Sequence, residues 1–103
     1  MVERNPNYKE ILKLKKMLKK EKIPYEFHEW FDGYQIGYPV LKPLNERVCS
    51  VIETKHSYGH DEDLLEIMGL LTEEESKDDS VLGHLTAENV FNRIKAHYDA
   101  NKE

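Results

Sequence analysis

The sequence predicts an α+β fold, a small three-stranded antiparallel sheet with helices packed on one face in the order α-β-β-β-α-α. Three observations carry that expectation: a helical apolar period over the first twenty residues, a switch to period two after Pro24, and a return to helical spacing in the last part of the chain. A length of 103 residues supplies one hydrophobic core, so residues 1–103 are expected to form a single domain.

Each element has its own local signal. Asn5 and Pro6 have the character of an N-cap followed by a first helical residue, and Tyr8, Ile11, Leu12, Leu14, Met17 and Leu18 then recur at helical spacing to about Lys20. Pro24 pushes Ile23 out of the helical region and stops that helix. Tyr25, Phe27 and Glu29 then alternate with Glu26, His28 and Trp30, and Asp32-Gly33 predicts a type I′ turn into a second strand, Tyr34 to Tyr38. Pro39 ends that strand, Pro43 and Asn45 mark a loop, and residues 47–54 are β-rich enough for the third. From Asp61 to Leu71 the spacing of Leu64, Leu65, Met68 and Leu71, with acids in the first turn, predicts a second helix. Thr72 and Glu75 stand at capping-box spacing, and residues 73–80 read as a mobile polar loop. Thr86 is a good N-cap, and Leu85 with Val90 has the spacing of a hydrophobic staple, opening a last helix through Phe91, Ile94 and Tyr98.

Composition narrows the function classes. No apolar run approaches the length that crosses a bilayer and the first twenty residues lack a cleavage site, so a cytoplasmic protein is expected, with no membrane partner. The single Cys49 cannot form an internal disulfide and reads as a small buried hydrophobe in mid-strand. The net charge of -5 is unevenly divided. Residues 1–24 carry eight bases against three acids, a net of +5, whereas residues 57–88 carry ten acids against one base, a net of -9. That acidic half sets nucleic acid aside as the expected partner, because it would repel phosphates.

The segments YQIGYP, RVCSVIETKHSYGHDEDLLEIMGLL and DSVLGHLTAENVFNRI together resemble a family of short proteins of phages and prophages of Gram-positive bacteria, one to which no activity is assigned. The resemblance spans about Ile11 to Ile94, with Ser57 to Leu71 its most distinctive stretch. It implies a phage setting in the cytoplasm of a host cell, where small phage proteins commonly occupy a host component or sequester a small signal.

Three constellations compete for a functional role. Asp32, Glu53 and Lys55 follow the order of the metal-dependent nuclease pattern of the restriction-endonuclease type: two carboxylates to hold a magnesium ion and a lysine to activate water. A meander centred near Lys42 pairs residues whose numbers sum to about 85, bringing Asp32 near Glu53. However, Asp32 also suits a turn, and Glu53 and Lys55 stand where a strand emerges into solvent. His56 and His60, followed by Asp61 and Asp63, invite a zinc reading, but no further Cys or His lies at ligand spacing, and capping of the following helix accounts for them equally. No nucleophile with a partner base and no glycine-rich phosphate loop is present.

The third constellation is a binding surface. Trp30, Phe31, Tyr34 and Tyr38 are more aromatics than one face of two short strands can bury, so some are expected at the surface, where they stack on bases or fill partner pockets. Arg47, Lys55 and the turn carrying His56, Tyr58 and His60 would supply donors to an anion. The expected site is therefore Trp30, Tyr34, Tyr38, Arg47, Lys55, His56, Tyr58 and His60, with no cofactor, no metal and no catalytic residue. The expected function is non-enzymatic: sequestration of a nucleotide-like signal, or inhibition of a host defence protein. The open edges of a small sheet also favour a homo-oligomer.

Overall fold

The computed structural model describes residues 8–55, 57, 62–77 and 80–101. Helix α1 (Glu10–Lys20) leads into five strands, β1 (Glu26–Trp30), β2 (Gly33–Tyr38), β3 (Cys49–Glu53), β4 (Leu65–Met68) and β5 (Val81–Leu85), and the chain closes with helix α2 (Ala87–Asn101). The strands form one antiparallel meander in the spatial order β1-β2-β3-β4-β5. The fold is α+β, as the change of period implies, but the sheet has five strands rather than three and the order is α-β-β-β-β-β-α.

Strand β4 replaces the expected second helix, and β5 forms between the expected polar loop and the last helix. Leu65 and Ile67 are fully buried while Glu66 is half-buried and Met68 exposed, a period of two. The apolar run in this segment fits either period over so few residues. Pairing decides between them: Val51 takes Ile67 and Ile52 takes Glu66 across the ladder, satisfying backbone groups that a lone sheet edge would leave open. Asp61, the expected start of that helix, lies outside the described residues. In the expected loop, residues 73–77 form a turn closed by the predicted capping box, in which the Thr72 N–H donates to Glu75 Oε1 (2.8 Å) and the Glu75 N–H donates to Thr72 Oγ1 (3.1 Å). Arg93 of α2 grips the same Glu75 with both terminal nitrogens, each at 2.8 Å.

The remaining elements follow the sequence more closely. Helix α1 ends at Lys20, just before Ile23-Pro24, and Ile11, Leu14 and Leu18 make its buried stripe. Thr86 caps α2 by accepting the Asn89 N–H (3.1 Å), with Leu85 and Val90 both buried. Asn5 itself lies outside the described residues, but Tyr8 and Lys9 precede the helix, so α1 opens with Lys9 at its N-cap rather than at Asn5-Pro6. The α1 terminus is satisfied from afar, Asp63 Oδ1 accepting the Lys9 and Glu10 N–H groups (2.8 and 3.2 Å) and Glu53 Oε1 accepting that of Ile11 (3.2 Å).

Two local details at the first hairpin correct the expectation. The loop residues are Phe31 and Asp32, since Trp30 pairs with Gly33, and of the two only Phe31 has a positive φ (54°), so the turn is not type I′. Gly33 is needed instead for close approach, because a Cβ there would sit 1.8 Å from the Glu53 carbonyl oxygen. Across β2 and β3, Tyr34 pairs with Glu53 and Gln35 with Ile52, which sets Lys55 rather than Glu53 beside Asp32.

The pleat sorts the strand residues onto two faces. Ile36, Tyr38, Cys49, Val51, Leu65 and Ile67 join the buried stripes of α1 and α2 in one cluster. The alternate residues His28, Trp30, Gln35, Ser50, Ile52, Glu66 and Met68 point to the face that no helix covers.

Candidate functional site

That helix-free face holds a shallow depression of about 170 Å³ lined by Trp30, Gln35, Arg47, Ser50, Ile52, Glu66 and Met68. Its floor is a hydrogen-bonded chain across three strands: Gln35 Nε2 donates to Ser50 Oγ (2.8 Å), and Gln35 Oε1 meets His28 Nε2 at 2.7 Å. Both Gln35 and Ser50 are buried, so this chain satisfies polar groups removed from water and holds the amide in one orientation. Apolar side chains flank that polar floor. Trp30 is 41% exposed and Met68 48% exposed, each on a strand that fixes where its side chain emerges.

The aromatic end of the face is ordered by ring contacts. His28 and Trp30, two residues apart on β1, stack with centroids 5.9 Å apart and planes 6° apart. Phe31 meets Trp30 edge-on at 5.2 Å and 86°. Phe31 is itself 61% exposed and held at φ 54°, a region that bulky side chains rarely adopt, so the turn displays this ring at a conformational cost.

The expected binding residues are divided by the pleat. Trp30 and Arg47 lie at the helix-free face. Tyr38 is buried at 3% exposure among the helices, its hydroxyl 2.8 Å from His97 Nδ1, and its place is in the core rather than at a surface. Tyr34 is half-buried on the same side and stacks on Phe27 at 5.1 Å. Lys55 is exposed, with its backbone N–H donating to Asp32 Oδ1 (2.9 Å). His56, Tyr58 and His60 lie outside the described residues. The side chains of the depression that escaped the sequence reading are Gln35, Ser50, Ile52, Glu66 and Met68, with His28 bonded to its floor. Their signal is parity with Trp30 along the strands, which becomes complete only once the fourth strand is recognised.

Asp32 and Glu53 of the nuclease-type pattern each accept a backbone N–H group of the chain itself. Asp32 accepts from the Lys55 N–H and from the Tyr8 hydroxyl (2.9 Å). Burial alone would raise its pKa, but those donors, together with its own backbone N–H and the Lys55 charge, hold the carboxyl below its usual value. Glu53 is fully buried on the helix side, and burial together with a hydrogen bond to Asp63 pushes its pKa up to about 9. Its Oε2 accepts no hydrogen bond among the described residues; as a neutral acid, Glu53 donates one to Asp63. An enclosed carboxyl that accepts the Ile11 N–H braces α1 against the sheet. Among the described residues no group of three or more His, Cys, Asp or Glu is placed to hold a metal ion. Cys49 is buried, as expected, and burial pushes its thiol up to about 12, which makes it inert as a nucleophile.

Comparison with protein-family models, with curated proteins and with solved structures finds no match to this chain. No helix among the described residues is long and apolar enough to cross a membrane.

Proposed function

We propose that this chain is a non-enzymatic binding protein that engages a protein partner through the helix-free face of its sheet. In the phage setting that the sequence resemblance implies, the partner is a host protein whose working surface is blocked. The observation carrying this reading is the pair of exposed anchors, Trp30 and Met68, set on rigid strands around a satisfied polar floor. Tryptophan and methionine are enriched where partners bury them, and an apolar rim around fixed hydrogen-bonding groups is the usual make-up of an interface centre.

The alternative of a sequestered nucleotide-like molecule has less support. The depression of about 170 Å³ is below the several hundred Å³ that enclose a small ligand. A wider recess of about 400 Å³ beside Phe27, His28 and Lys42 offers rings that are already engaged: Phe27 has Tyr34 stacked at 5.1 Å and the Lys15 ammonium at 4.2 Å, and His28 stacks on Trp30 at 5.9 Å. Another, of about 420 Å³ beside Arg93, offers a guanidinium already bound to Glu75, Asn89 and the Leu70 carbonyl.

The test is site-specific photo-crosslinking in a Gram-positive host cell. A photoreactive residue at Met68 is expected to trap a discrete protein adduct that the same residue at Asn92, exposed on α2, does not, and Trp30→Ser is expected to remove it. No adduct, or the same adduct from both positions, overturns the proposal.

A further inference from the structure

We infer that the outer ridge of α1 is a second, separate binding surface, one that takes the phosphate backbone of a single-stranded nucleic acid. Lys9, Lys13, Lys16 and Lys20 are all exposed and follow one another at intervals of four, three and four residues. At 100° per residue they fall within one narrow stripe opposite the buried Ile11, Leu14 and Leu18, and they extend over about 16 Å. Four ammonium groups thus stand in a row that points away from the sheet.

What sets this row apart from an ordinary solvated helix face is the absence of counter-charge. Helical surfaces usually mix signs, and like charges four residues apart oppose helix formation. On α2 the pattern is the usual one: Arg93 is paired with Glu75 and Lys95 with Asp99, each at 2.8 Å. The four ridge lysines form no ion pair with any described residue. The one acid within α1, Glu10, is turned inward, where Oε1 accepts the Ala87 N–H at the start of α2 (3.0 Å). The chain therefore keeps two like-charge pairs at i,i+4 without an ion pair to either, the neighbouring carboxylates of Glu10 and Asp63 both accepting backbone N–H groups instead.

A nucleic-acid strand relieves that repulsion best. Its charges repeat at fixed intervals along a line, as the lysines do, and compact ammonium groups act as point-charge phosphate binders. A lipid surface fits less well, because the apolar residues of α1 are spent in the core and leave Leu12 alone, 36% exposed, to enter a bilayer. A single strand can follow the ridge without bringing the acid-rich remainder of the chain against a second line of phosphates. The acid excess between residues 57 and 88 argued against nucleic acid at the level of sequence; of those acids Glu66 lines the helix-free sheet face and Glu75 is held by Arg93 of α2, while Asp63 meets α1 at the backbone N–H groups of Lys9 and Glu10. This surface lies on the opposite layer from the helix-free sheet face, so either proposal can fail alone.

Fluorescence anisotropy with a labelled thymidine oligonucleotide tests it. Binding at low salt is expected to weaken several-hundred-fold over a tenfold rise in salt, a log–log slope of about -3 for four phosphate contacts on a single strand. Lys13→Gln with Lys16→Gln is expected to halve that slope, while Lys95→Gln, which removes a paired base, leaves it unchanged. Circular dichroism checks that the exposed substitutions keep the fold. No binding at low salt, an unchanged slope in the double variant, or tighter binding to anionic vesicles or to polyglutamate than to the oligonucleotide overturns the inference.

Discussion

Glu53 shows how one side chain couples the two layers of the fold to pH. The folded chain holds its proton up to about pH 9, whereas an ordinary glutamate releases it near 4.5, so folding takes up a proton between those values. Stability is therefore greatest below the lower value and falls as pH rises through the upper one. Glu53→Gln keeps an acceptor for the Ile11 N–H and a donor toward Asp63 without a charge to bury. The variant is expected to be more stable than the parent above neutral pH and to show a flatter pH dependence. Urea denaturation at about pH 5 and about pH 8.5 measures this, and parallel losses in the two proteins would show that Glu53 is not the group responsible.

Between elements, single contacts decide how neighbours seat. Gly33 lets β2 approach β3 where the carbonyl oxygen of Glu53 leaves no room for a Cβ. Because the obstacle is backbone, Gly33→Ala is expected to destabilise the protein by about 3 kcal/mol, read from the thermal or urea midpoint. A loss too small to measure would mean that the two strands can separate at that point without consequence. The contact between α2 and the segment following β4 is polar: Arg93 holds Glu75 with two bonds and the Leu70 carbonyl with a third (3.1 Å). Arg93→Ala is expected to free that segment and speed tryptic cleavage after the exposed Lys77, with little change in the global unfolding midpoint. Cleavage at the parent rate would assign the seating of the segment to its own capping box.

For the molecule as a whole, the layered build separates structure from recognition. Both helices lie on one side of the sheet, so every strand presents one face to the core and the other to solvent or a partner. Trp30 is the single tryptophan of the chain and stands on the open side, 41% exposed, so its emission reports that face alone. In the isolated protein it is expected to emit at the long wavelengths of a hydrated indole and to be quenched readily by iodide. Engagement of a partner there is expected to shift the emission to the blue and protect it. A ring already shielded in the dilute protein would mean that another part of the chain, or another copy, covers the site.

Helix α1, the first three strands and α2 were legible because each carries a local signal strong enough to stand alone: a buried stripe at Ile11, Leu14 and Leu18, a proline stop, alternation around Phe27 and Ile36, and the Thr86 cap. The exposure of aromatics near the first turn was legible too, from number against available volume, though which rings would be exposed was not. Tyr38 and Trp30 are chemically similar candidates in sequence, and only the parity of the pleat sends one to the core and the other to the surface. The fourth strand, the site residues Gln35, Ser50, Glu66 and Met68, and the inward turn of Glu10 were decided by tertiary structure. Leu65 to Met68 has apolar spacing for either period, so the choice rests on Val51 and Ile52 offering a ladder from more than ten residues away. Glu10 lies among lysines in sequence, but the free N–H of Ala87 draws its carboxylate inward. Local order comes from residues within a turn of one another. The faces, and hence the surfaces available for binding, come from hydrogen bonds and burial that only distant parts of the chain can provide.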